Sequence, residues 1–188
     1  MRANLTVKEK VAKSSEAFRR YVLPVLFSPQ DRSKFEPVEG TTGRVSELLD
    51  YAGIDWLWRS PNNELTAVSQ RTQILQRGQR PFNTFSVRVS RLSGCDTEWQ
   101  KTLKALNSNG RLLVSFVTMQ SYLSEDCQLL SSGRMKTHDL MESLVTAPPL
   151  RRIINTEDGT QFVAPKWDWL QSIGRPVRVW LSQLSLAS

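Results

Sequence analysis

Histidine is nearly absent from this chain: His138 is the only one in 188 residues. That removes zinc centres built on two or more histidines and confines any histidine general base to one position. Cysteine is almost as scarce. Cys95 and Cys127 stand far apart without the paired spacing of a metal knuckle, and no secretory hydrophobic region precedes them, so a reducing cytoplasm is the expected compartment. The longest apolar runs, residues 21–27 and 112–117, fall far short of the ~20 residues a membrane helix needs, and no membrane partner is expected. A phosphate-binding glycine loop, a dinucleotide fingerprint and a serine or cysteine nucleophile motif are all missing, which argues against nucleotide-dependent chemistry.

What is present fits an ordinary folded protein, with 39% hydrophobic and 23% charged residues. The length suits one well-buried domain over residues 1–188. Lysine and arginine number 25 against 18 acids, a net charge of +7. Such an excess draws polyanionic partners, DNA or RNA, through long-range attraction and counterion release, although solubility alone is a competing explanation.

Along the chain, a helix that frays at its end is expected to begin within residues 1–13, where Val7, Val11 and Ala12 stand among lysines, and another from Ser14 as N-cap, with Ala17, Phe18, Tyr21, Val22, Val25 and Leu26 at helical spacing and Pro24 as kink or stop. After a proline-containing loop, Thr41 or Thr42 caps a further helix striped by Val45, Leu48, Leu49 and Ala52 and ended by Gly53. Three strands follow, at 54–59, 64–73 and 84–91, the first two joined as a hairpin by Pro61-Asn62-Asn63. In the third, Phe85, Val87 and Val89 alternate with Ser86, Arg88 and Ser90, predicting one buried and one polar face. Thr97 caps a helix that leads to a strand at 112–123, the usual frame of a parallel crossover. Further on come a strand at 129–135, a helix from Thr137, a hairpin around Glu157-Asp158-Gly159, a short helix at 167–173 and a strand or docked tail from Val177.

The order helix, three strands, helix, strand over residues 42–123 resembles the core of the PD-(D/E)XK nuclease superfamily. The resemblance implies an α/β (α+β) fold, a mixed central β-sheet flanked by helices with a restriction-endonuclease-like core. Residues 1–41 would then be an N-terminal helical extension and 124–188 a C-terminal α+β elaboration. In that family an acid opening the second core strand and a Glu-x-Lys in the third hold a divalent metal and orient a water for phosphodiester hydrolysis. The matching acid is Asp55, within Gly53-Ile54-Asp55. Where the family has Glu-x-Lys, this chain reads Ser69-x-Arg71 or, in the other register, Gln70-x-Thr72. The resemblance therefore implies a catalytic set of Asp55, Gln70 and Arg71, and a site for Mg²⁺ or Mn²⁺ on Asp55, with Glu47 of the preceding helix as the second carboxylate. The second carboxylate of the motif itself is missing, and Glu64 only flanks a turn.

Arg77, Arg80, Arg88 and Arg91, interleaved with Phe82, form a second set, suited to following a nucleic-acid backbone while Phe82 stacks on an unpaired base. His138, before Asp139 at a helix start, reads first as a surface residue and alternatively as a general base. Trp56 and Trp58 share one strand face, which is buried or meets a protein partner or second copy. Three readings follow: a metal-dependent nuclease, an inactive nucleic-acid-binding or assembly subunit of a larger nucleoprotein or defence complex, and an interaction protein using its tryptophan-rich face.

Overall fold

The computed structural model describes residues 7–38, 48–49, 52–59, 62–91, 94, 96–107, 114–146, 153–155 and 159–182. The chain opens with helix α1 (Val7–Ala17), which passes through a π-helical segment (Phe18–Val22) into α2 (Leu23–Leu26). Ser14 therefore lies inside a helix rather than at its cap. Pro24 does not stop the helix. Proline has no N–H for the carbonyl one turn back and its ring crowds that carbonyl; here the winding loosens just before it, and Leu23 N–H reaches Phe18 C=O. A short α3 (Pro29–Arg32), capped by the Ser28 side chain, leads to β1 (Phe35–Pro37).

The expected helix after Thr41 or Thr42 lies mostly outside the described residues, but its end is visible. Gly53 has φ of 72°, and Ile54 N–H reaches back to Leu49 C=O at 3.0 Å, the helix-ending motif for which a glycine in the left-handed region is suited. The hairpin of β2 (Trp56–Arg59) and β3 (Leu65–Ile74) follows as expected, paired antiparallel with Trp56 opposite Val68.

The third strand departs from expectation. Phe85, Val87 and Val89 are buried as their alternation predicts, yet β4 (Val87–Ser90) does not continue the hairpin. It joins β8 (Gln161–Val163) and β7 (Ile153–Ile154) in a separate three-stranded sheet. The place beside β3 is taken by β5 (Val117–Leu123), in parallel. The crossover thus runs from β3 to β5 and carries both β4 and helix α4 (Glu98–Asn107) with it. Alternation fixes which face of a strand is buried but not which strand lies next to it.

Then come β6 (Leu129–Lys136), helix α5 (Thr137–Thr146), helix α6 (Trp167–Ser172) and β9 (Arg178–Leu181). The main sheet has the order β1-β2-β3-β5-β6-β9, with β3 and β5 its parallel pair and antiparallel neighbours elsewhere. This is an α+β mixed sheet. Among the described residues no helix is long and apolar enough to cross a membrane.

Each sheet face has its own core, as period-two side chains require. On one face, Phe18, Val22 and Leu23 pack on Trp56, Val68, Met119 and Leu123. The Trp56 ring lies 5.5 Å from Phe18, and Trp58 stacks on Phe35 at 6.0 Å. On the tryptophan face Trp56 is therefore covered by the chain's own helix, while Trp58, partly buried, lies beside Phe35 of the adjacent strand. On the other face, Phe85, Val87, Tyr122, Leu140, Trp167 and Leu170 form the second core. Trp167 lies directly on Gly133, where an added Cβ would overlap the indole ring, so only glycine admits the helix this close to β6.

Candidate functional site

Asp55 stands where β2 turns away from β3. A strand's N–H and C=O groups point to alternate sides, so Val68, Gln70 and Thr72 all face the β2 edge. Val68 C=O accepts from Asp55 N–H at 2.9 Å. Beyond that point β2 no longer runs alongside, and two side chains complete the ladder. An Asp55 carboxylate oxygen accepts Gln70 N–H at 2.6 Å, and Ser14 Oγ, reaching in from α1, accepts Thr72 N–H at 2.9 Å. A buried N–H without an acceptor costs on the order of 1–3 kcal/mol, so these two bonds are what allow β3 to extend past its neighbour.

The other predicted members do not converge on Asp55. Gln70 belongs to the opposite, helix-covered face: its amide nitrogen lies 3.4 Å from Ser14 Oγ and its carbonyl oxygen accepts from Thr72 Oγ1 at 3.1 Å. Arg71, on the Asp55 side of the sheet by alternation, is held by Glu98 of α4 at 2.6 Å, with both side chains 28% exposed. Glu47 lies outside the described residues. A hard divalent cation wants several oxygen donors at one point. One carboxylate engaged by a backbone N–H, an amide on the far face and a paired arginine do not form that donor set, so Asp55, Gln70 and Arg71 by themselves do not fit Mg²⁺ or Mn²⁺.

Glu98 is the residue that sequence reasoning missed. It occupies the first turn of α4, where Thr97 and Gln100 form a reciprocal capping box: Gln100 Oε1 accepts Thr97 N–H at 2.8 Å, and Thr97 Oγ1 accepts Gln100 N–H at 3.3 Å. An acid in that turn is explained locally by the helix dipole, so nothing in the sequence announces its reach across 27 positions to Arg71. Around the pair, Ser69, Thr118, Gln120 and Thr137 line a cavity of about 20 Å³, room for about one water molecule rather than a substrate. Thr137 Oγ1 lies 2.9 Å from Thr118 Oγ1 and 3.1 Å from Ser115 Oγ, a closed hydroxyl cluster.

The remaining arginines divide. Arg88, half-buried, lies over the Phe162 ring at 5.4 Å, and Arg91 is also half-buried. By contrast, Arg77 and Arg80 are exposed on the loop from β3 to β4. Phe82 in the same loop is 54% exposed while its edge meets Tyr122 at 6.1 Å. Tyr122 is itself fixed: it is wholly buried, donates to Thr84 C=O at 3.1 Å and lies 3.0 Å from Thr84 Oγ1. Burial raises the Tyr122 phenol above its ordinary pKa, so it remains a neutral donor. Arg77 also borders a cleft of about 380 Å³ whose other wall carries Glu125 and Asp126.

His138 is exposed, 3.4 Å from Asp139. With Glu142 these form the one group of three or more metal-type ligands within mutual reach among the described residues. Glu142 is already paired with Arg175 at 2.8 Å, and the group stands on α5. No protein-family model matches this chain, and no curated protein does.

Proposed function

We propose that this protein binds single-stranded nucleic acid through the loop between β3 and β4, on a nuclease-like frame that does not cleave. The observation that carries the reading is Phe82: an aromatic ring more than half open to solvent, steadied at its edge by a buried tyrosine and flanked by the exposed Arg77 and Arg80. An exposed ring resting against a buried neighbour offers a base-stacking platform, and neighbouring guanidinium groups suit the phosphates on either side. The net charge of +7 adds a general attraction for polyanions.

The frame is supported by the order of elements. The helix α1, the antiparallel meander β1-β2-β3, the helix α4 and the strand β5 parallel to β3 follow the nuclease-like sequence of elements, shifted one strand toward the N-terminus from the sequence expectation. Asp55 then opens the second strand of the meander and Ser69-Gln70-Arg71 lies in the third. In place of a carboxylate pair, this frame has Asp55 bonded to backbone and Arg71 neutralised by Glu98. That arrangement favours the binding reading over the metal-dependent phosphodiesterase.

Fluorescence anisotropy with a labelled single-stranded oligonucleotide tests both halves. Affinity is expected to fall as salt rises, and Phe82→Ala is expected to weaken it by about 1–3 kcal/mol, the worth of one base stack. Arg77→Ala is expected to reduce the slope of log K against log salt by about 0.7, one phosphate contact on a single strand. Binding that ignores salt and survives Phe82→Ala would overturn the proposal. Cleavage of the same oligonucleotide in Mg²⁺ or Mn²⁺, lost in Asp55→Ala, would restore the nuclease reading.

A further inference from the structure

On the sheet face opposite Phe82 and Arg71, two arginines meet across a strand pair. Arg134 of β6 is in direct register with Arg178 of β9, so both project on the same side, where like charges directly opposite each other are unfavourable. Among the described residues neither forms an ion pair with an acid. Arg134 is half-buried, with its guanidinium 5.7 Å from the Phe27 ring. The two arginines, with Ser132, Met119, Leu26, Val179 and Trp180, line a half-open cavity of about 170 Å³. Burial, and next the neighbouring Arg178, lowers the pKa of Arg134, which marks the spot as one that disfavours its own positive charge.

From this geometry we infer that the cavity between α2 and the β6–β9 edge is a binding site for a phosphate-class oxyanion, held by Arg134 and Arg178 together. A doubly charged tetrahedral anion converts the repulsion into two charge-assisted forks, and arginine is the side chain that grips such an anion through paired N–H groups. The Ser132 hydroxyl, 2.8 Å from Ser121 Oγ, lies at the wall of the same space. The indole of Trp180 forms another wall, a flat apolar surface beside the anion that suits the organic part of a small phosphate ester. The cavity has room for several waters, and hence for one tetrahedral anion in their place. This site shares no residue with the Phe82 loop, so either can fail without the other.

The test uses the full chain and compares thermal unfolding and calorimetric titration in inorganic phosphate with chloride at matched ionic strength. Phosphate is expected to raise the unfolding temperature specifically. Arg178→Gln, at an exposed position, is expected to abolish that rise and to weaken phosphate at least about tenfold. In phosphate-free buffer the same variant is expected to unfold at the parent's temperature or above it, because the repulsion is gone. A purely structural arginine would give the reverse sign. Arg134→Gln supplies the second variant, with the same loss of phosphate response. A 5′-mononucleotide distinguishes the sources: binding equal to that of inorganic phosphate means that the group alone is read, and tighter binding means that the Trp180 wall contributes. No phosphate-specific rise in the parent, or a rise that survives Arg178→Gln, overturns the inference.

Discussion

Two stretches of this molecule carry conspicuous polar residues, and they differ in how those residues are used. Around β3, Asp55, Ser14, Gln70, Arg71 and Glu98 all end on partners within the chain, several of them backbone groups that would otherwise be buried without an acceptor. On the β3–β4 loop an aromatic ring is left half exposed, and at the β6–β9 edge two arginines face one another. The first arrangement holds a strand in place. The second leaves interaction capacity that only something outside the chain can use, because a folded protein gains nothing from opposing like charges or an open ring. The teaching is that an acid in the right sequence position is weaker evidence of chemistry than a charge the fold leaves unanswered.

The largest expected effect that sharpens this contrast is on Asp55. If its carboxylate is the acceptor that lets β3 outrun β2, Asp55→Ala destabilises the fold by about 2–3 kcal/mol, the range for a hydrogen bond to a charged group whose loss strands a buried donor. Asp55→Asn retains an oxygen acceptor and is expected to recover most of that loss. Urea denaturation of both variants measures it. If Asp55→Asn proves as costly as Asp55→Ala, the charge itself matters, and the contrast between structural and unanswered polar groups breaks at its main example.

Much of the local structure behind that contrast was legible in the sequence. Gly53 as a helix terminator, the hairpin at Pro61-Asn62-Asn63, the buried Phe85, Val87 and Val89 and the Thr97 cap all rest on interactions between residues close in sequence, or on simple alternation. What escaped depends on contacts between distant segments. That β4 would leave for a second sheet is decided by the partners offered by β7 and β8, some 70 residues on. Ser14 looked like a helix cap because serine often is one; its partner is a strand 58 positions away. The sequence does not mark Arg134 and Arg178 as a pair, because nothing in either neighbourhood shows that the register of β6 and β9 sets them opposite.

An intermediate effect is expected at Glu98. The Arg71 pair is short and partly sheltered, between the exposed pairs that contribute little and the buried ones whose disruption is severe. Glu98→Ala is expected to cost about 1–2 kcal/mol in the same denaturation experiment. It also frees Arg71, so the nucleic-acid affinity measured for the Phe82 loop serves as a second readout. Unchanged affinity confirms that the two regions act separately. A clear gain would show that the pair masks a cation useful to the ligand, and would join them.

The smallest effect, and the most local, belongs to Ser14. Its hydroxyl accepts the Thr72 N–H at 2.9 Å, and it lies on a helix turn that packs against β3. Ser14→Ala removes a neutral acceptor and leaves the helix intact, since alanine is the better helix former. The two terms oppose each other, so the net loss is expected to be about 1 kcal/mol or less. Global stability alone would resolve this poorly, whereas amide hydrogen exchange at Thr72 isolates it. Faster exchange at Thr72, with Gln70 still protected by Asp55, is the expected pattern. If Gln70 and Thr72 both lose protection together, the edge of β3 is held as one unit by α1 rather than by two separate side-chain caps.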